Sequence, residues 1–115
     1  MANVDTINYL EIPCRDLSAT KTFFAAAFGW RFMDYGPEYS CFLDGGIDGA
    51  FYQAKAAFSA SSAPLLVFYS DNLALKQEQI MHHGGQIVRS VFSFPGGRRF
   101  HFSCPSGNEY AVWSE

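Results

Sequence analysis

Glu11, His101 and Glu109 are the residues here whose types suit proton transfer or metal binding. In residues 7–13, Leu10 and Ile12 alternate with Tyr9 and Glu11, the period of a half-buried strand. Glu11 therefore shares a face with Tyr9. His101 stands between Phe100 and Phe102 and points the opposite way from both. Glu109 has the parity of Ala111 and Trp113. A carboxylate, an imidazole and a second carboxylate can exchange protons as acid and base, or hold a divalent ion. Glu11 and His101 are the catalytic candidates. The competing reading is structural: Glu11 pairs with Arg99 across a sheet, His101 makes one hydrogen bond, and Glu109 lies at a pocket mouth. A second group suits binding. Tyr9, Tyr69 and Trp113 have one parity, and Tyr52 joins them if the register allows. Their rings can stack on a planar ligand while their polar tips reach its edge, or they can pack on one another and fill the space. Arg99 adds a cation to this set.

Other features point less far. His82-His83 precedes Gly84-Gly85 at an expected helix end, where a cation suits the helix dipole. Adjacent helical histidines diverge by about 100° and share no metal face. The run from Gly45 to Gly49 lacks the Lys-Ser/Thr and opening helix of a phosphate loop, so it reads as a hairpin turn. Cys104 would need a base to become a nucleophile, and His101 has the wrong parity. Cys14, Cys41 and Cys104 show no metal or disulfide spacing and read as reduced thiols of a cytoplasmic protein. Net charge is −3 with no basic block, which disfavours nucleic acid. No apolar run approaches the ~20 residues of a membrane span, and Met1–Asp5 does not read as a leader.

These side chains need a frame, and the sequence supplies one twice. Strands are expected at 7–13, 30–33, 39–43 and 49–53, with a helix from about residue 17, capped by Asp16 or Ser18 and stopped by Gly29. Pro13 is expected to end the first strand. Residues 54–63 are small and polar and read as a linker. Strands then recur at 65–69, 86–89 (with a continuation toward Phe92 allowed), 100–103 and 109–113, with a helix at 73–83 capped by Asp71 or Asn72. A shift of about 56 residues lays Leu17 on Leu73, Phe24 on Ile80 and Gly29 on Gly85. The 115 residues thus read as one domain: module one at about 5–53, the linker, and module two at about 64–115. One β-α-β-β-β unit leaves a sheet face open, and a second unit beside it closes that face into a cleft.

The stretch Asn8-Tyr-Leu-Glu-Ile-Pro-Cys-Arg-Asp-Leu17, with Lys21-Thr-Phe-Phe24 and Phe28-Gly-Trp30, resembles the vicinal oxygen chelate superfamily of glyoxalases, bleomycin- and fosfomycin-resistance proteins and extradiol dioxygenases. Phe100-His-Phe-Ser-Cys-Pro-Ser-Gly-Asn108 is similar to that superfamily's last hairpin. The resemblance implies an α+β fold: two pseudo-symmetric β-α-β-β-β modules forming a curved, mixed eight-stranded sheet around a cleft, helices outside, as a homodimer. It also implies His or Glu metal ligands at four positions. Those fall on Tyr9, Leu65, Ala111 and a place near Gln53. Leu and Ala cannot ligate, so no metal or other cofactor is expected, and Gln53 joins the ligand-binding set. The expected function is metal-free binding of a small, partly aromatic molecule. The alternative is a lyase, isomerase or dioxygenase-type enzyme that uses Glu11 and His101 with a rearranged metal or an acid/base pair. A module that pairs through a sheet edge ranks last.

Overall fold

The computed structural model describes residues 4–59 and 61–115. Met1–Asn3, part of the stretch read for a leader, and Ala60 of the linker lie outside the described residues. The order is β1 (Tyr9–Cys14), α1 (Leu17–Phe28), β2 (Phe32–Asp34), β3 (Tyr39–Phe42), β4 (Asp48–Gln53), β5 (Val67–Tyr69), α2 (Leu73–His82), β6 (Gln86–Phe94), β7 (Gly97–Ser103) and β8 (Glu109–Ser114). This is the expected β-α-β-β-β unit, repeated. Hydrogen bonding groups the eight strands into two four-stranded mixed sheets: sheet A, ordered β1-β4-β3-β2, and sheet B, ordered β5-β8-β7-β6. In each, the first strand runs parallel to the last and the others are antiparallel.

The helix ends follow the sequence closely. The Asp16 side chain accepts from the Ala19 N–H, and the Asn72 side chain accepts from Leu75, so the two N-caps are 56 residues apart. Gly29 closes α1 in the left-handed conformation. In module two, Gly84 takes that conformation, one residue before the glycine predicted to match it. Pro13 does not end β1. It sits inside the strand, which is tolerable because β1 pairs only with β4 and its other edge needs no N–H there. β6 takes the continuation beyond residue 89 and runs on to Phe94, two residues past Phe92, with irregular register between Ile87 and Phe92.

One apolar core joins the modules. Ile12, Phe42 and Phe51 from sheet A and Phe100, Phe102, Tyr110 and Val112 from sheet B share it with Leu17, Phe23, Phe24, Leu73 and Ile80 from the helices. Phe24 is its hinge pin: its ring lies 5.3 Å from Phe51 and 5.5 Å from Tyr110. Both sheets thus bury one face against the helices. By strand alternation their other faces look away from that core. The seam is tied by Asn108, whose amide donates to Pro13 O at 2.7 Å and accepts from Phe58 N at 3.1 Å. That second bond anchors the connecting run.

Candidate functional site

On sheet A the open face carries Tyr9, Glu11 and Pro13 of β1, Asp48, Ala50 and Tyr52 of β4, and Tyr39 and Cys41 of β3, since Ile12, Phe51 and Phe42 occupy the core side. Ala50 lies between Glu11 and Cys41 in the cross-strand row. The small Ala50 side chain leaves room for the longer ones around it to meet. The Tyr9 hydroxyl is 2.7 Å from that of Tyr39 and 3.4 Å from Cys41 Sγ, and Tyr39 donates to Glu11 Oε2 at 2.8 Å. The bonds to Cys41 and Tyr39 hold the Tyr9 phenol above its ordinary range. Tyr9 draws the Tyr39 phenol down, but desolvation and the Glu11 carboxylate outweigh this and its net shift is upward. Glu11 is thus engaged by a tyrosine within its own sheet, and its predicted ion pair with Arg99 does not form.

Sheet B presents Val67 and Tyr69 of β5, Glu109, Ala111 and Trp113 of β8, and Arg99 and His101 of β7 on its open face. Ala111 again sits in the middle, between Val67 and His101. His101 is buried, and its Nδ1 is 2.9 Å from Glu109 Oε2. The Phe92 ring packs on the His101 imidazole at 5.8 Å. Its Nε2, like Arg99 Nε, is buried with no hydrogen-bond partner among the described residues. Arg99 lies 5.3 Å from the Phe92 ring and 5.7 Å from Phe94. Trp113 meets Tyr69 at 5.2 Å and Phe94 at 6.4 Å. Val67, Phe94, Gly96, Arg99 and Trp113 line a cavity of about 330 Å³.

A profile for the glyoxalase/bleomycin resistance protein/dioxygenase superfamily matches residues 6–112. The chain belongs to this superfamily. Its fold is similar to that of a glyoxalase-related enzyme from Fulvimarina pelagi (TM-score 0.79, 18% identity, covering 97% of this chain and 89% of that one). A fosfomycin resistance protein, FosX, from Listeria monocytogenes gives a TM-score of 0.79 at 14% identity, covering 98% and 95% of the two chains. TnmS3, an antibiotic binding protein from Streptomyces sp. CB03234, gives 0.69 at 18% identity, covering 99% and 98%. A search of curated proteins finds no significant match.

Within this superfamily fold the predicted site residues divide between two sheets. Glu11, Tyr9 and Tyr52 lie on sheet A; His101, Arg99, Tyr69 and Trp113 lie on sheet B. The two catalytic candidates belong to separate hydrogen-bonded clusters, Glu11 with Tyr39 and His101 with Glu109. Gln53 has the parity of Phe51 and lies on the core side at the end of β4. Its amide accepts from Leu17 N at 3.0 Å and donates to Arg15 O, which steadies the start of α1. The place in sheet A equivalent to Ala111 is instead Ala50, opposite Glu11 as Ala111 is opposite Val67. Among the described residues, no three His, Cys, Asp or Glu side chains gather where they could hold a metal ion.

The sequence reading missed Tyr39, Cys41, Phe92 and Phe94. Tyr39 had a usable signal, because a 39–43 strand antiparallel to a 49–53 strand can set it opposite Tyr52, as it is. Phe92 and Phe94 continue an alternation that runs through the far end of β6. The helix-end histidines stay there, ring against ring at 4.8 Å. Cys104 is buried with Ser106 Oγ at 3.3 Å, and no hydrogen bond to a base is made by its thiol among the described residues. All three cysteines are free. Among the described residues no helix is long and apolar enough to cross a membrane.

Proposed function

We propose that this chain binds a small, partly aromatic molecule without a metal, and that it does so as a homodimer. The observation that carries the reading is the make-up of the open faces. Each has an alanine at its centre, Ala50 or Ala111, with aromatic side chains around it: Tyr9, Tyr39 and Tyr52 on sheet A, Tyr69 and Trp113 on sheet B. The alanines are buried beneath these rings, and the exposed rings give a planar molecule a surface to stack on.

The superfamily's metal does not suit these residues. The positions implied for its ligands hold Tyr9, Leu65 and Ala111, and the equivalent of the last is Ala50. Two of these types have no donor atom, and Tyr9 is committed to Tyr39 and Cys41. No step is therefore derived through a metal. The name of TnmS3, an antibiotic binding protein on a similar fold, is in keeping with a binding role.

The homodimer rests on two features. Tyr9, Tyr52, Val67 and Tyr69 are exposed on the open faces, where grouped apolar side chains suit a contact surface. The faces also differ in charge, with Glu11 and Asp48 on sheet A against Arg89 and Arg99 on sheet B. A second copy laying one kind of face on the other covers both and gives a cleft with aromatic walls. The three free cysteines suit a reducing, cytoplasmic setting.

A thermal-shift screen of planar aromatic compounds on chelator-free protein, with elemental analysis of the same sample, tests this. Saturable stabilisation without bound metal is expected. Stoichiometric metal, or no shift with any compound, contradicts it. One observation favours a second reading, acid–base catalysis: the His101–Glu109 pair leaves Nε2 without a partner. Glu11 would then act from the other face, brought close by the second copy. Turnover lost in a folded His101→Gln variant would favour that reading.

A further inference from the structure

Arg99 holds a permanent charge and joins no ion pair among the described residues. The ion pairs among the described residues join Lys21 to Asp34, Arg31 to Asp44 and His101 to Glu109. Arg99 has only rings beside it, Phe92 at 5.3 Å and Phe94 at 5.7 Å. Rings fix a guanidinium in place and leave its donors free. Arg89 stacks on the same Phe92 ring at 3.7 Å, and the Glu115 carboxylate on this face is held by the Tyr69 hydroxyl at 3.5 Å. In a chain of net charge −3, Arg89 and Arg99 both pack on Phe92 on this face of sheet B, while Arg98 has the opposite parity. A local positive field in an acidic protein favours an anion.

Two buried atoms on this face are also incomplete. Arg99 Nε and His101 Nε2 have no hydrogen-bond partner among the described residues. Buried polar groups are nearly always paired, so two such atoms at alternate positions of one strand mark a place where a partner belongs. His101 is held still by Glu109 at its other nitrogen, so its free nitrogen has a fixed direction. Arg99 opens onto the cavity of about 330 Å³ whose other walls are Val67, Phe94, Gly96 and Trp113. That volume suits a molecule of one or two fused rings. Phe94 and Trp113 stand at 60° to one another and give it two ring walls.

We propose that this cavity takes a flat organic acid, its rings against Phe94 and Trp113 and its carboxylate on the Arg99 guanidinium. The inference rests on the binding reading above and adds the place of the ligand and the sign of its charge.

Calorimetric titration of the full chain with the naphthoate anion and with its neutral amide, naphthamide, tests it in wild type, Arg99→Gln and Arg98→Gln. Arg98 occupies the adjacent, exposed position of β7 and serves as the charge control. Wild type binds naphthoate saturably and at least about ten-fold tighter than naphthamide. Arg99→Gln removes that preference, and Arg98→Gln keeps the affinity within about two-fold. Should Arg99→Gln not fold, Arg99→Lys keeps the charge, loses the planar fork and falls between the two. Equal affinity for acid and amide, or equal losses in the two glutamine variants, overturns the anion site and leaves aromatic binding standing. Failure of both compounds to bind overturns both.

Discussion

Glu11, Ala50 and Cys41 form a row across sheet A, and Val67, Ala111 and His101 form the equivalent row across sheet B. The backbone positions correspond. The side chains use them differently. In sheet A the polar groups turn to one another: Tyr9, Tyr39, Glu11 and Cys41 make a connected set, exposed to solvent, in which Tyr39 meets two partners. In sheet B the bonds are separate, His101 to Glu109 and Tyr69 to Glu115, while Arg99 Nε and His101 Nε2 are buried with no hydrogen-bond partner among the described residues. A connected polar set is stable by itself. An incomplete one is stabilised by what comes to it. The fold thus offers two similar faces, and on the proposal made above the second is the receptive one.

Stability measurements should separate the faces. The largest effect is expected for His101→Ala, which empties a buried site beneath Phe92 and strips Glu109 of its imidazole. Urea unfolding should show a loss of about 2 kcal/mol. Glu11→Gln, at an exposed site, should stay within about 0.5 kcal/mol of wild type. If the two cost the same, the contrast between the faces fails.

Arg99→Met comes next. It removes a charge in no ion pair and a buried Nε without a hydrogen bond among the described residues, at the loss of contacts to Phe92 and Phe94. These terms oppose each other at about 1 kcal/mol each, so the variant should be no less stable than wild type. A strong loss of stability would mean that Arg99 serves the fold and not a ligand.

Smallest is the pH response of sheet A. The Tyr9 phenol is held above its ordinary range, so the folded chain keeps that proton longer than the unfolded one. The stability this contributes is fully present below the usual phenol pKa of about 10 and is lost as pH rises through the folded value. Alkaline titration followed by tyrosinate absorbance should show late-ionising phenols, and Tyr9→Phe should remove one of them. An unchanged late fraction would mean that the Tyr9–Tyr39–Cys41 contacts are not held in solution.

The fold was legible because its signals are local. Asp16 and Asn72 cap their helices through their own side chains, Gly29 needs only its own φ, and Phe100 and Phe102 declare the core side by alternation. The site was legible only in part, because pairing across strands depends on register, which neighbours in sequence do not fix. Parity put Tyr9, Glu11, Arg99, His101 and Trp113 on open faces. It could not tell that Glu11 would meet Tyr39 before Arg99. Gln53 was misplaced by comparison with a motif when its own parity with Phe51 pointed to the core side. Pro13 looked like a stop because sequence alone does not say which strand lies at an edge.

The contrast between the faces is most directly tested at the Arg99 Nε–H itself. Its nitrogen–proton resonance can be assigned by its absence in Arg99→Lys and followed while naphthoate is added. A saturable downfield shift of that resonance, with the Trp113 indole N–H moving at the same ligand concentrations, is the predicted result. Saturable binding that leaves the Arg99 resonance where it was would contradict the account.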